Sequence, residues 1–278
     1  MSRALRRIAQ RWWAEGRRAE VVEVVRSLGS VPREAGTRML VSADEVVGTI
    51  GGGNLEWQAI DRARQRLQAI DTDAQEISVA LGPTLGQCCG GALTLRFATL
   101  NADLLSAWPT TEPRFHLQLY GAGHVGQAII HALQGIDAHV RWIDVREEAF
   151  ESLHLPAGDE LSRALTLETV WADPMTDEVD VAPPGGFHLV LTHSHDLDLA
   201  LAERILRRGQ HGFFGLIGSA TKRARFEHRL RYKGLAPELL STMTCPIGLP
   251  GIEGKEPAVI AVAVVAQLLS RSAPHESR

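Results

Sequence analysis

Residues 115 to 133 read FHLQLYGAGHVGQAIIHAL, and the reading of the C-terminal half turns on them. The apolar start predicts a short buried strand, and the stretch after Val125 predicts a helix. Between them Gly121, Gly123 and Gly126 spell GxGxxG, and Asp144 ends the next predicted strand 18 positions beyond Gly126. Glycines permit a tight turn and close backbone approach, and a helix N-terminus offers N–H groups to a phosphate. The pattern is a dinucleotide fingerprint. It does not fix the ligand: NAD or NADP is one candidate, and another phosphate-bearing molecule fits equally. His124 lies inside the loop and reads either as a side chain turned toward the crevice or as an exposed helix-start histidine.

Working outward, AHVRWIDVR, GFHLVLTHSHD, GFFGLIGSA and a late helix around EPAVIAVAVVAQLL alternate buried strands with helices. This is the rhythm of a doubly wound parallel sheet. THSHDLD (192–198) follows one strand, so it falls at the carboxyl edge of the sheet, where ligands of such architectures bind. Three readings stand there. His193 and His195 with Asp196 and Asp198 form a metal set, or Ser194 or Asp196 caps a helix, or His193 is buried and lines the crevice. GSATKRARF (218–226) puts Gly218, Ser219, Lys222 and Arg223 at the end of another strand, either as an anion-holding turn or as a solvated basic helix face.

The N-terminal part has a different rhythm. Leu5, Ile8 and Trp12 suit an amphipathic helix; AEVVEVVRSLGS and RMLVSADEVVGTI read as two strands. Gly51, Gly52 and Gly53 lead into NLEWQAIDRARQRLQAI, where Asn54 can cap and Trp57, Ile60, Ala63 and Leu67 make one face. EISVALGP and GALTLRFATL are two further strands around the turn that carries Cys88 and Cys89. Neighbouring Cα atoms lie roughly 3.8 Å apart, below the ~4.4–6.8 Å of a disulfide, so the pair reads as two free thiols. Gly86, Gly90 and Gly91 bracket them and let a ligand approach; soft thiolates suit molybdenum, copper or sulfur transfer, while the plainer reading is two small buried hydrophobes. Cys245 reads as structural. Residues 1–107 are expected to form an α+β domain, 108–115 a proline-containing linker and 116–278 the second domain.

A net charge of −4 with arginines spread along the chain gives no basic stripe for nucleic acid. No run of 18 apolar residues and no signal-peptide h-region is seen, so neither a membrane span nor export is expected. With three cysteines and no CxxC pair, a reducing cytoplasm is the expected home.

GSVPREAGTRMLV, GTIGGGNLE, LGPTLGQCCGG, YGAGHVG, IGSATKR and CPIGLPGIEGKEP occur in this order over nearly the whole chain. Together they resemble the signature stretches of the xanthine dehydrogenase accessory protein family, the XdhC/CoxI type. The resemblance implies a smaller N-terminal α+β domain with the cysteine motif and a C-terminal Rossmann-like domain. It implies a chaperone without turnover chemistry of its own, which binds the molybdenum cofactor (molybdopterin), protects it during sulfuration and delivers it to the molybdenum subunit of xanthine dehydrogenase. A cysteine desulfurase as second partner and a homodimer follow from the same resemblance. Cys89 matches the family's shared cysteine and Cys88 its double-cysteine version, both as possible molybdenum contacts. The glycine turns Gly51–Gly53 and Gly121–Gly126 would hold anionic groups, with His124, Asp144, His193 and Ser219 around the cofactor. Val259 departs from the acidic residue expected in the family's P-x-E-I-A pattern. Two other functions compete: an NAD(P)-dependent oxidoreductase, for which no Tyr-x-x-x-Lys pair is present around Tyr120 or Tyr232, and a persulfide carrier using Cys88 or Cys89.

Overall fold

The computed structural model describes residues 3–69, 73–81, 90–109, 112–151 and 164–272. The chain divides into two compact units, Met1–Thr111 and Glu112–His275.

In the first unit, α1 (Arg3–Ala14) buries Ala4, Leu5, Ile8, Ala9 and Trp12, the stripe expected from a 3.6-residue period. Strands β1 (Ala19–Leu28), β2 (Arg38–Ser42), β3 (Val46–Gly48), β4 (Gln75–Ala80) and β5 (Ala92–Thr99) form an antiparallel sheet ordered β3-β2-β1-β5-β4. RMLVSADEVVGTI is thus two strands and not one. Ser42 N donates to Glu45 O at 2.8 Å, and the polar corner is pinned by Arg17, whose guanidinium meets Asp44 at 2.7 Å and Glu45 at 2.6 Å. Helix α2 (Gly53–Ala69) covers one face through Leu55, Ala59, Ala63 and Arg66. That corrects the predicted face: Trp57 is 67% exposed, because it lies midway between Leu55 and Ala59 in sequence and, at about 100° per residue, on the opposite side of the helix from the buried stripe. Arg66 is tolerated inside because its Nε donates to the fully buried Glu20 at 2.9 Å, and Thr99 Oγ1 donates to the same carboxylate at 2.6 Å. A short helix, α3 (Ala102–Ala107), closes the unit, with Asn101 Oδ1 accepting from Leu104 N as its cap.

The second unit is a six-stranded sheet of β6 (His116–Tyr120), β7 (His139–Asp144), β8 (Thr166–Trp171), β9 (Phe187–Val190), β10 (Phe213–Leu216) and β11 (Met243–Thr244). All neighbours are parallel and the order is β11-β10-β9-β6-β7-β8. Numbered within the unit this is 3-2-1-4-5-6 read from the other edge, the Rossmann order, whose direction reverses between β6 and β9. Helices α4 (His124–Leu133) and α8 (Pro257–Arg271) pack on one face around Leu117, Leu119, Val140 and Leu189. Helices α5 (His195–Arg208), α6 (Ala220–Tyr232) and α7 (Pro237–Ser241), with the 3₁₀ turn Met175–Val179, sit on the other around Tyr120, Ile143, Val190 and Phe214. Each fully buried Val or Leu in these layers contributes about 1.5–3 kcal/mol. Among the described residues no helix is long and apolar enough to cross a membrane.

Candidate functional site

Three loops leave the carboxyl ends of β6, β9 and β10 and are tied to the strands beside them. Gly121 N donates to Ile143 O, Leu191 N to Tyr120 O and Ile217 N to Val190 O, at 2.8, 2.9 and 2.9 Å. The first loop needs its glycines for different reasons. Gly121 has φ +115°, and a Cβ there would lie 2.4 Å from Leu191 O. A Cβ on Gly126 would lie 2.3 Å from Gly121 O, so only glycine lets α4 start this close to the strand. Gly123 is the opposite case: its φ is −79° and nothing lies within 4 Å of a Cβ. The space over Gly123 is open, and the residue caps α4 with no side chain to satisfy the first-turn N–H groups. A phosphate is the natural acceptor for such a turn. His124 opens α4 and is exposed, the plainer of its two readings.

Asp144 ends β7 and is 2% exposed. Oδ2 accepts from Ala122 N at 2.7 Å and from an Arg146 guanidinium N–H at 3.0 Å; Oδ1 accepts from Arg146 N at 3.0 Å and Arg146 Nε at 2.9 Å. Burial alone would raise its pKa, but these hydrogen bonds outweigh burial and hold the carboxyl below the usual range. A carboxylate offers about four lone-pair directions, and all are used within the protein. Asp144 therefore braces the glycine loop against β7, where the fingerprint expects it to bind a ribose.

The THSHDLD segment resolves into a cap and a buried anchor. Ser194 Oγ accepts from Leu197 N at 3.4 Å, while His193 and His195 are exposed, so His193 does not line a buried crevice wall. Among the described residues no group of three or more His, Cys, Asp or Glu side chains could hold a metal. Asp198 is fully buried and accepts from Thr192 N at 3.1 Å, Thr192 Oγ1 at 2.7 Å and Lys222 Nζ at 2.6 Å. Lys222 also donates to Ile217 O at 2.8 Å, so one ion pair joins the loops after β9 and β10. Its position in the basic turn was legible in the sequence, but its buried partner was not.

Ser219 caps α6, exposed, with Oγ accepting from Lys222 N at 3.3 Å. Cys245 is buried, its thiol pKa raised by burial, and its Sγ donates to Ser219 O at 3.8 Å, in keeping with a structural role. The structure thus brings Gly121, Gly123, Gly126, His124, Asp144, His193 and Ser219 to one end of the parallel sheet.

Gly51, Gly52 and Gly53 belong to the first unit and have φ of +128°, +76° and +67°. Glu56 fills their turn: its Oε2 accepts from Ile50 N at 3.0 Å, from Gly52 N at 3.1 Å and from the Thr49 hydroxyl. Asn54 lies inside α2, its Oδ1 accepting from Gln58 at 3.3 Å. Cys88 and Cys89 lie outside the described residues.

A family model described as the XdhC Rossmann domain matches residues 117–268, and one described as the XdhC and CoxI family matches residues 12–77. YqeB of Escherichia coli (strain K12), described as an uncharacterized protein, is 31% identical over 257 residues, 90% of this chain; the chain spans 42% of that protein's length. A crystal structure from Bacillus halodurans, described as a xanthine dehydrogenase, is 18% identical with a TM-score of 0.74, covering 100% of this chain and 98% of the other, and so shares the fold. The open glycine loop, the braced Asp144 and the Asp198–Lys222 pair all fall within the matched Rossmann segment, and the chain belongs to the XdhC and CoxI family.

Proposed function

We propose that this protein binds the molybdenum cofactor and serves the maturation of xanthine dehydrogenase as a chaperone, without turnover chemistry of its own. The family supports the link, as does the description of the Bacillus halodurans structure as a xanthine dehydrogenase. The observation that carries the reading is Gly123: an uncapped helix start with open space above it fits the phosphate end of such a cofactor. When bound, the cofactor supplies the molybdenum redox chemistry, and this chain's part is to hold and orient it. The first-turn amides of α4 would take the phosphate, with Ser219 at the neighbouring helix start.

The oxidoreductase reading is weakened at Asp144, whose oxygens are spent on Ala122 and Arg146 and leave no acceptor for a ribose diol. The test is reconstitution of apo-xanthine dehydrogenase with molybdenum cofactor, with and without this protein, assayed by xanthine oxidation. The yield of active enzyme rises, and purified protein carries molybdenum and pterin that Gly123→Val loses while staying folded. No gain in active enzyme, together with steady NAD(P) reduction by the isolated protein, would overturn the chaperone reading. Replacing Cys89 by Ala is expected to weaken cofactor retention far more than replacing Cys245. A persulfide on Cys88 or Cys89, found by mass after incubation with a cysteine desulfurase, would add sulfur transfer to the role.

A further inference from the structure

Strand β8 ends at Trp171, which is 62% exposed and so leaves a large apolar ring in water. Trp13 and Trp57 are exposed too, but they lie on α1 and α2 of the first unit. Trp171 stands in register with Asp144 at the carboxyl end of β7, so both side chains leave the same face of the sheet. Its Nε1 donates to Val145 O at 3.0 Å. The polar edge of the indole is thereby satisfied within the protein, and the bond ties the ring to the turn after β7. Among the described residues no aromatic ring or cation stacks on it. What remains exposed is aromatic carbon held in a fixed orientation, which is what a stacking platform requires.

Its position determines what stacks there. Strands β6, β7 and β8 are consecutive in the sheet, so the glycine loop after β6 and the indole after β8 are two strand spacings apart, roughly 10 Å. Ligands of such sheets lie across the carboxyl ends of the strands. A molecule with its phosphate at the start of α4 therefore reaches Trp171 by passing Asp144, whose oxygens are used by Ala122 and Arg146 and grip nothing in between. Glu147 and Glu148, exposed in the turn after Arg146, put acidic charge at this end and disfavour a second phosphate there. Resting on the phosphate seat of the proposed function, we infer that Trp171 stacks on an uncharged planar heterocycle joined to that phosphate by a short linker, as in a pterin phosphate or a nucleotide.

The full chain is titrated by calorimetry with neopterin monophosphate, ADP, 2′-deoxy-ADP and inorganic pyrophosphate, as wild type, Trp171→Ala, Trp171→Phe and Gly123→Val. A ring-bearing probe binds the wild type with Kd below about 1 mM. Trp171→Ala weakens it at least about fivefold, Trp171→Phe restores most of the loss, and pyrophosphate binds both variants as it binds the wild type. The tighter ring-bearing probe identifies the source, a pterin or a nucleotide base. ADP and its deoxy analogue bind within about fivefold of each other, because Asp144 has no acceptor left for the sugar. The inference is overturned if no ring-bearing probe binds at several millimolar, if Trp171→Ala binds them unchanged, if it weakens pyrophosphate equally, if Trp171→Phe restores nothing, or if ADP exceeds 2′-deoxy-ADP by more. Gly123→Val tests the phosphate seat separately: pyrophosphate that fails to bind, or binds this variant unchanged, overturns the seat, and stacking is then judged on Trp171→Ala alone.

Discussion

Two glycines three positions apart should respond to the same substitution in opposite ways. In Gly126→Ala the new methyl would sit 2.3 Å from Gly121 O and 3.2 Å from Trp142 Nε1, so either α4 moves off the strand or the loop carbonyl turns away. That carbonyl accepts the buried indole N–H of Trp142 at 3.1 Å, and turning it would orphan the donor. Overpacking costs about 1–3 kcal/mol and an orphaned buried donor about 1–3 more, so roughly 3 kcal/mol is a moderate total. For a unit of this size each kcal/mol shifts Tm by about 2–4 °C, which gives a fall of roughly 6–12 °C. In Gly123→Ala the methyl meets nothing within 4 Å at an ordinary φ, so only the weaker capping preference of alanine is lost, at most about 1 kcal/mol. Thermal and urea melts followed by tryptophan fluorescence separate the two, and pterin analysis of the purified variants shows whether Gly123→Ala alone loses cofactor while folded. A Gly126→Ala variant melting within 2 °C of wild type, on the order of 1 kcal/mol, would refute the packing argument. So would a larger loss for Gly123→Ala.

Asp144→Asn should destabilise the protein at pH 7, and the gap to wild type should close in acid: a carboxyl held below its unfolded value of about 3.9 stabilises above that pH and loses the contribution as pH falls through its folded value. Urea melts at pH 7 and pH 3 measure the change. His188, buried with its pKa pushed down to about 3 by burial, stays neutral when folded but protonates when unfolded below about 6.5, so stability falls with pH across that window. His188→Phe should flatten the profile between pH 6 and 4, and an unchanged slope would contradict it. Asp198→Ala strands a largely buried ammonium and should cost up to about 3–5 kcal/mol, whereas the double change with Lys222→Met should cost less than the sum of the two singles in a double-mutant cycle.

The glycine loop was legible because everything it requires is local: strand, turn and helix lie within 19 residues. The function of Asp144 was less so. Its position after β7 follows from spacing, but that Arg146 and Ala122 consume its lone pairs depends on how the β7 turn folds back on the loop. The Asp198–Lys222 pair spans 24 residues and two loops, a contact that exists only once β9 and β10 are neighbours. In the first unit, SADE is too short to break an apolar pattern visibly, so one strand was expected where Arg17, distant in sequence, pins a corner. Trp57 misled for a simpler reason: it is large and apolar, and size alone does not place a residue on the inner stripe.

The glycine turn before α2 has a consequence of a different kind. Ile50 N, Gly52 N and the Thr49 hydroxyl converge on one carboxylate, and that carboxylate belongs to Glu56 on the helix that follows. The turn is in effect a receptor that carries its own agonist, tethered at saturating local concentration. Removing the tether, as in Glu56→Ala, would leave the same donors facing solvent and let inorganic phosphate or acetate compete for them. A single substitution would then convert a structural corner into a ligand-responsive one, with the start of α2 stabilised in proportion to the anion supplied.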